Sequence, residues 1–140
     1  MELQIKKLHP DAKLPTFAHP TDAGMDLCTI EKFTIQPGQH KVVSTGLAMV
    51  VPDGFVALVW DKGGVANKRH IKTVGGVFDS EYRGEYLIGL FNFGGESQSF
   101  EVGDKIAQLL IQKVEHPVII EIAELDNTVR GEGRFGSTGV

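Results

Sequence analysis

Apolar residues in this chain recur at every second position in short β-branched runs, and Gly, Pro, Asp and Asn interrupt those runs throughout. That pattern excludes most folds at once. The runs fall at residues 3–8, 25–35, 41–51, 55–60, 85–93, 105–113 and 118–122, and each is expected to be a strand. Between them stand turn signals: Gln36-Pro37-Gly38, Pro52-Asp53-Gly54, Phe93-Gly94-Gly95 and Val102-Gly103-Asp104. Only residues 64–69 could form a helical turn or two, and the glycines at 63 and 64 weaken even that. Many short strands without crossover helices imply an all-β sandwich or barrel. There is no internal repeat.

The bulk properties bound the function. With 140 residues the chain fits one domain. A formal charge of −4 argues against nonspecific nucleic-acid binding, although a local cluster of cations could still hold a small anion. The basic stretch 68–72 accordingly reads as a phosphate rim or a solvated face. Cys28 is the sole cysteine, so neither an intrachain disulfide nor a cysteine zinc site is expected. The five histidines show no paired ligand spacing. No apolar run is long enough for a membrane span, and the first residues lack a signal peptide's apolar core, so a cytoplasmic location is expected.

Two segments carry chemistry. Residues 130–140, Arg-Gly-Glu-Gly-Arg-Phe-Gly-Ser-Thr-Gly-Val, combine glycines that lower the chance of regular structure with anion-binding groups. Backbone N–H groups, the Arg130 fork and the hydroxyls of Ser137 and Thr138 suit phosphate, while Phe135 offers a flat face for a base. Such a segment reads as a lid that orders over a nucleotide triphosphate. Residues 75–84, Gly-Gly-Val-Phe-Asp-Ser-Glu-Tyr-Arg-Gly, read as a hairpin whose backbone could reach a base edge. Asp79 would then serve as a general base and Tyr82 as a packing wall.

Together with three further blocks, these segments resemble the trimeric dUTPase (dUTP diphosphatase) family across nearly the whole chain. In order the blocks are residues 23–27 (Ala-Gly-Met-Asp-Leu), 62–66 (Lys-Gly-Gly-Val-Ala), 76–84, 103–109 (Gly-Asp-Lys-Ile-Ala-Gln-Leu) and 130–139. The resemblance implies a jelly-roll-type β-barrel over residues 1–125, with residues 126–140 as an arm that closes over the site. It implies a homotrimer with active sites at subunit interfaces, dUTP as substrate, and Mg²⁺-assisted hydrolysis to dUMP and pyrophosphate. Such an activity limits uracil incorporation into DNA and supplies dUMP for thymidylate synthesis.

Residue by residue, the resemblance makes Asp79 the base for a water that attacks the α-phosphorus, and Gln108 a group that positions water or phosphate. Gly76 and Val77 would read the uracil edge, Tyr82 would lie under the deoxyribose, and Leu87 would be a further ligand contact. Lys62, Gly63 and Gly64 would hold phosphates. Arg130, Ser137 and Thr138 would clamp the γ-phosphate, Phe135 would stack on uracil, and Gly136 would be a further substrate contact. Asp26 would approach the metal through water, against the alternative of a strand-end acid bonding to backbone.

The chain departs from the family pattern in the second block. Lys62-Gly63-Gly64 stands where many members read Arg-Ser-Gly. Lysine keeps the charge but loses the planar fork. Gly63 lacks a hydroxyl that, by analogy with oxyanion-hole donors, is worth about 2–4 kcal/mol in a transition state. Trp60 and Asp61 just before it read as a buried strand end and a turn acid. The related deaminase pattern would need a glutamate where this chain has Gly89, so deamination is not expected.

Overall fold

The computed structural model describes residues 1–134 and 139. In chain order its elements are β1 (Gln4–Lys7), β2 (Met25–Cys28), β3 (Phe33–Ile35), β4 (His40–Val50), β5 (Phe55–Trp60), α1 (Gly63–Arg69), β6 (Ile71–Val74), β7 (Val77–Phe78), β8 (Glu85–Asn92), β9 (Gln98–Phe100) and β10 (Lys105–Lys113). One four-stranded sheet has the order β1-β4-β8-β6, another the order β2-β10-β5-β7, and β3 pairs with β9. Every pairing is antiparallel. Two such sheets enclosing one core are the expected jelly-roll arrangement.

Period-two patterning explains why the sheets close on each other. Leu47, Met49, Tyr86, Ile88, Leu90 and Ile71 from the first sheet share a buried cluster with Leu27, Ala57, Val59, Ala107 and Leu109 from the second. Phe33 and Phe100 stack at 4.8 Å under the small sheet, and the Arg69 guanidinium lies 3.7 Å above the Phe100 ring. Arg69 also donates to Gln98 Oε1 and the Ser99 carbonyl, so this member of the basic stretch braces the fold.

The expected strand over 25–35 divides in two. Thr29 Oγ1 accepts the Glu31 N–H at 3.0 Å, a local bond that turns the chain away from β10 toward β9. The expected helical turns do form, and His70 ends them in a left-handed conformation (φ 54°), its N–H bonding to the Val65 carbonyl. The expected strand over 118–122 is absent. Among the described residues no ladder reaches that run, and Val118, Ile119, Ile120 and Ile122 are exposed. An apolar alternating run has the composition of a strand, but a strand also needs a partner edge. No described helix is long and apolar enough to cross a membrane.

Candidate functional site

β10 lies between β2 and β5, and its register sets Gln108 opposite Asp26 on one side and Trp60 on the other. Three of the expected phosphate-side groups meet at this end of the sheet. The Asp26 carboxylate is buried, and Lys62 Nζ reaches its Oδ1 at 2.5 Å. Lys105 Nζ stands 2.6 Å from Oδ2, so each carboxylate oxygen faces an ammonium group. Burial pushes the Asp26 carboxyl up, yet the ammonium groups of Lys105 and Lys62 together outweigh it and hold the carboxyl below its usual 3.8. Asp26 thus answers to cations, whereas the sequence had left a backbone-bonding role open.

Gln108 is fixed from two sides. Its Nε2 donates to the Asp61 carbonyl at 2.8 Å, and its Oε1 would lie only 2.7 Å from a Cβ at Gly24, so glycine in the first block makes room for this amide. Lys62 is the N-cap of α1, and Gly63 and Gly64 form its exposed first turn, where an added Cβ would meet nothing within 4 Å. Among the described residues no group of three or more His, Cys, Asp or Glu side chains converges to hold a metal. With Asp26 facing two ammonium groups, the described residues build no carboxylate cage.

The hairpin sits further along the same sheet. β7 pairs with the middle of β5, Val77 opposite Leu58 and Phe78 opposite Ala57. The Gly76 carbonyl accepts the Val59 N–H at 2.7 Å, and a Cβ at Gly76 would collide with the Val59 backbone oxygen. Beyond β7 the chain turns through a bond from the Tyr82 N–H to the Asp79 carbonyl at 3.1 Å. The Tyr82 hydroxyl donates to the Glu85 carbonyl at 2.9 Å. Phe78 stacks on Tyr86 at 4.2 Å, which anchors the hairpin to the core. The Tyr86 hydroxyl has no partner among the described residues, and burial pushes this phenol up to about 12. The Asp79 side chain is exposed, with no hydrogen bond or ion pair among the described residues.

Two cavities flank Val77. One of about 260 Å³ is lined by Leu58, Val59, Trp60, Asp61, Lys72, Thr73, Gly76 and Val77. The other, of about 520 Å³, holds Asp79 with Ser80, Glu81, Asp53, Val114 and His116. Along β5 the residue opposite Gln108 is Trp60, while Asp79 follows the partner of Ala57. At about 3.3 Å per residue, roughly 13 Å of strand therefore separates Asp79 from the Gln108 end within one chain. The structure joins Asp26, Lys62 and Gln108 in one group, sets Gly76 and Val77 in a groove with Asp61 beside that group, and places Asp79 further along β5.

The remaining expected residues lie elsewhere. Leu87 is exposed on β8, opposite Ser44, and lines neither cavity. Arg130 is exposed and its Nε donates to the Gly133 carbonyl at 2.8 Å. Phe135, Gly136, Ser137 and Thr138 lie outside the described residues. Trp60, expected to be a buried strand end, is 57% exposed at the groove mouth. The sequence reading missed Lys105 as a partner of Asp26 and missed Thr73 in the groove. The β-branched stretch Ile71-Lys72-Thr73-Val74 was the available signal for β6.

Comparison with known proteins adds a third line of observation. A dUTPase family model matches residues 10–139. A deoxyuridine 5'-triphosphate nucleotidohydrolase of Rhodococcus erythropolis is 42% identical, the match covering 99% of this chain and 87% of that protein. The Thermobifida fusca protein of the same description is 41% identical over 99% of this chain and 79% of its own. Among solved structures, a mutant dUTPase of Staphylococcus bacteriophage 80alpha with dUpNHpp superposes with a TM-score of 0.92 at 29% identity, covering 99% of both chains. A mutant dUTPase from phage phi11 of S. aureus, described with the coordination of a structural Mg(II) ion, gives 0.84 at 25% identity over 91% of this chain and all of that one.

Proposed function

The chain belongs to the dUTPase family and hydrolyses dUTP; from that premise we propose how its residues divide the work. The 260 Å³ groove takes uracil against the backbone of Gly76 and Val77, and Tyr82 packs the deoxyribose. Asp79 accepts the proton of a water that attacks the α-phosphorus, and dUMP and pyrophosphate leave. Lys62, the first turn at Gly63 and Gly64, and Gln108 hold the phosphates beside the scissile bond. The arm over residues 126–140 closes the site, Arg130, Gly136, Ser137 and Thr138 on the γ-phosphate end and Phe135 on the base. Mg²⁺ would be held mainly by the triphosphate, whose charge it would partly neutralise, with Asp26 as the side chain that would approach it through water.

The observation that carries this reading is the separation of Asp79 from the group at Lys62 and Gln108. A base on one end of the sheet and phosphate groups on the other make sense when each working site takes its hairpin from one chain and its phosphate block from a second. A homotrimer supplies that arrangement with closed symmetry. The exposed run at Val118, Ile119 and Ile120 (86%, 93% and 75% exposed) supplies apolar surface for a second copy to cover.

The test is pyrophosphate release with Mg²⁺ from dUTP, dCTP, dTTP and UTP. Release should be selective for dUTP, and Asp79→Asn should lower it about 10³-fold. The composite site has its own test. Asp79→Asn and Gln108→Ala chains, each strongly impaired, should regain a fraction of the unaltered activity when refolded together. Failure to complement would place both groups in one chain's site.

A further inference from the structure

The ladder between β4 and β8 is interrupted near the start of β8. Its register shifts between Ser44 and Ala48, and Gly46 in that bulge takes a left-handed conformation (φ 66°). Side chains hold the two strands together there. The Glu85 carboxylate accepts the Gly46 N–H at 2.7 Å and the Ser44 hydroxyl on the same oxygen, and Thr45 donates its hydroxyl to the Tyr86 carbonyl at 2.7 Å. The main chain of Glu85 is thereby fixed, and its carbonyl accepts the Tyr82 hydroxyl at 2.9 Å. Other neighbours confine the same ring. Phe78 and Tyr86 stand 5.7 and 6.0 Å from it between centroids, and a Cβ at Gly84 would collide with the ring and its hydroxyl. Tyr82 still keeps 40% of its surface exposed, so it can face a ligand.

Resting on the reading of Tyr82 as the wall under the deoxyribose, we propose that Glu85 is a positioning residue that sets how strongly the site rejects a ribonucleotide: it ties that wall, through the Tyr82 hydroxyl, to the bulge of β4. UTP differs from dUTP by one hydroxyl. An apolar wall repels that hydroxyl only by as much as its own displacement costs, because a wall free to move makes room. A ring whose hydroxyl is bonded to a fixed carbonyl costs more to displace. The base edge is left to the main chain of Gly76 and Val77, so this restraint bears on the sugar. Glutamine at position 85 would keep the oxygen that Gly46 and Ser44 require, whereas alanine would leave both donors without it and free the start of β8.

The experiment compares Glu85→Ala, Glu85→Gln, Tyr82→Phe and Tyr82→Ala with the unaltered chain, reading kcat/KM for dUTP and for UTP. Glu85→Ala should lower the dUTP:UTP ratio about tenfold, which is what one neutral hydrogen bond contributes. Glu85→Gln should keep a ratio close to that of the unaltered chain. Tyr82→Phe cuts the same tie from the ring's side with the Glu85 carboxylate undisturbed, and it reads the tie even where Glu85→Ala fails to fold. It should lower the ratio as far, and the double variant Tyr82→Phe with Glu85→Ala should go no further. A merely structural role predicts equal losses on both substrates with the ratio intact, and that result overturns the proposal. So does a ratio that Tyr82→Phe leaves unchanged, or one that falls as far in Glu85→Gln as in Glu85→Ala. The parent reading fails differently, through an unaltered chain that does not prefer dUTP to UTP or a ratio that survives Tyr82→Ala.

Discussion

The hairpin at residues 76–79 and the loop at residues 62–64 both adjoin β5, yet a methyl group meets opposite conditions in them. Added at Gly76 it would collide with the Val59 backbone oxygen; at Gly63 or Gly64 it would find nothing within 4 Å. The hairpin is held by packing, through the Val59–Gly76 bond and the Phe78–Tyr86 stack. The loop is held by charge, through Lys62 on Asp26 with Lys105 on the other carboxylate oxygen. Reading a flat base requires a fixed backbone, and packing supplies one at little cost in adaptability. Gripping a triphosphate, whose charge shifts during reaction, suits side chains that can exchange partners.

The largest test of this contrast is a pair of alanines. Gly76→Ala should destabilise the fold by about 3 kcal/mol, because backbone must move to admit the methyl. It should also lower kcat/KM for dUTP about 100-fold through displacement of the hairpin. Gly63→Ala should change stability by under about 1 kcal/mol, in the stabilising direction expected for a helix position. Denaturant midpoints measure the first quantity and pyrophosphate release the second. Equal effects at the two glycines would erase the distinction.

Next in size is Gly63→Ser. The open space around Gly63 admits a serine side chain, and the added hydroxyl would face phosphates held by Lys62. A rise of about tenfold in kcat is expected, within what one transition-state donor contributes. An unchanged kcat would mean that backbone N–H groups already meet this need, and the loop would then be less open chemically than sterically.

These two regions were unequally legible in the sequence. Strands near 41–51, 55–60, 85–93 and 105–113 follow from local alternation, and each lies within two residues of its expected ends. Asp79, Gly76 and Gln108 were named from the sequence because the blocks that resemble the family contain them. The Lys105–Asp26 pair was not, since it depends on β10 lying beside β2. The bond from the Thr73 N–H to the Asp61 carboxylate was missed for the same reason: it needs β6 near the end of β5, and adjacency between sheets is not a local property. The run at 118–122 failed in reverse. Its composition is that of a strand, but no edge within the described chain receives it.

Tyr86 allows a smaller test on the packed side. Its buried hydroxyl lacks a partner among the described residues, so Tyr86→Phe should stabilise the fold by about 1 kcal/mol. The sign of its pH dependence follows from a phenol raised from 10.0 to about 12 in the folded chain. The folded state holds the proton more tightly, so this group's contribution is full below pH 10.0 and is lost as pH rises toward 12. The phenylalanine variant should lose that part of the alkaline decline. A variant less stable than its parent would show that the hydroxyl is bonded after all.

The charge-held side is tested at the opposite end of the pH scale, where the expected effect is smallest. Asp26 is ionised more readily in the folded chain than its ordinary value of 3.8, since Lys105 and Lys62 outweigh the effect of burial. In the window between its folded pKa and 3.8, the unfolded chain binds more protons than the folded one, so stability rises with pH. The contribution is present above 3.8 and is lost as pH falls through the folded value. Asp26→Asn should flatten this acid limb of the denaturation profile, while Gly76→Ala should lower the whole profile and leave the slope of that limb unchanged. An acid limb as steep in Asp26→Asn as in the unaltered chain would mean that Lys62 is placed by the N-cap geometry of α1. The phosphate loop would then owe its position to packing as fully as the hairpin does.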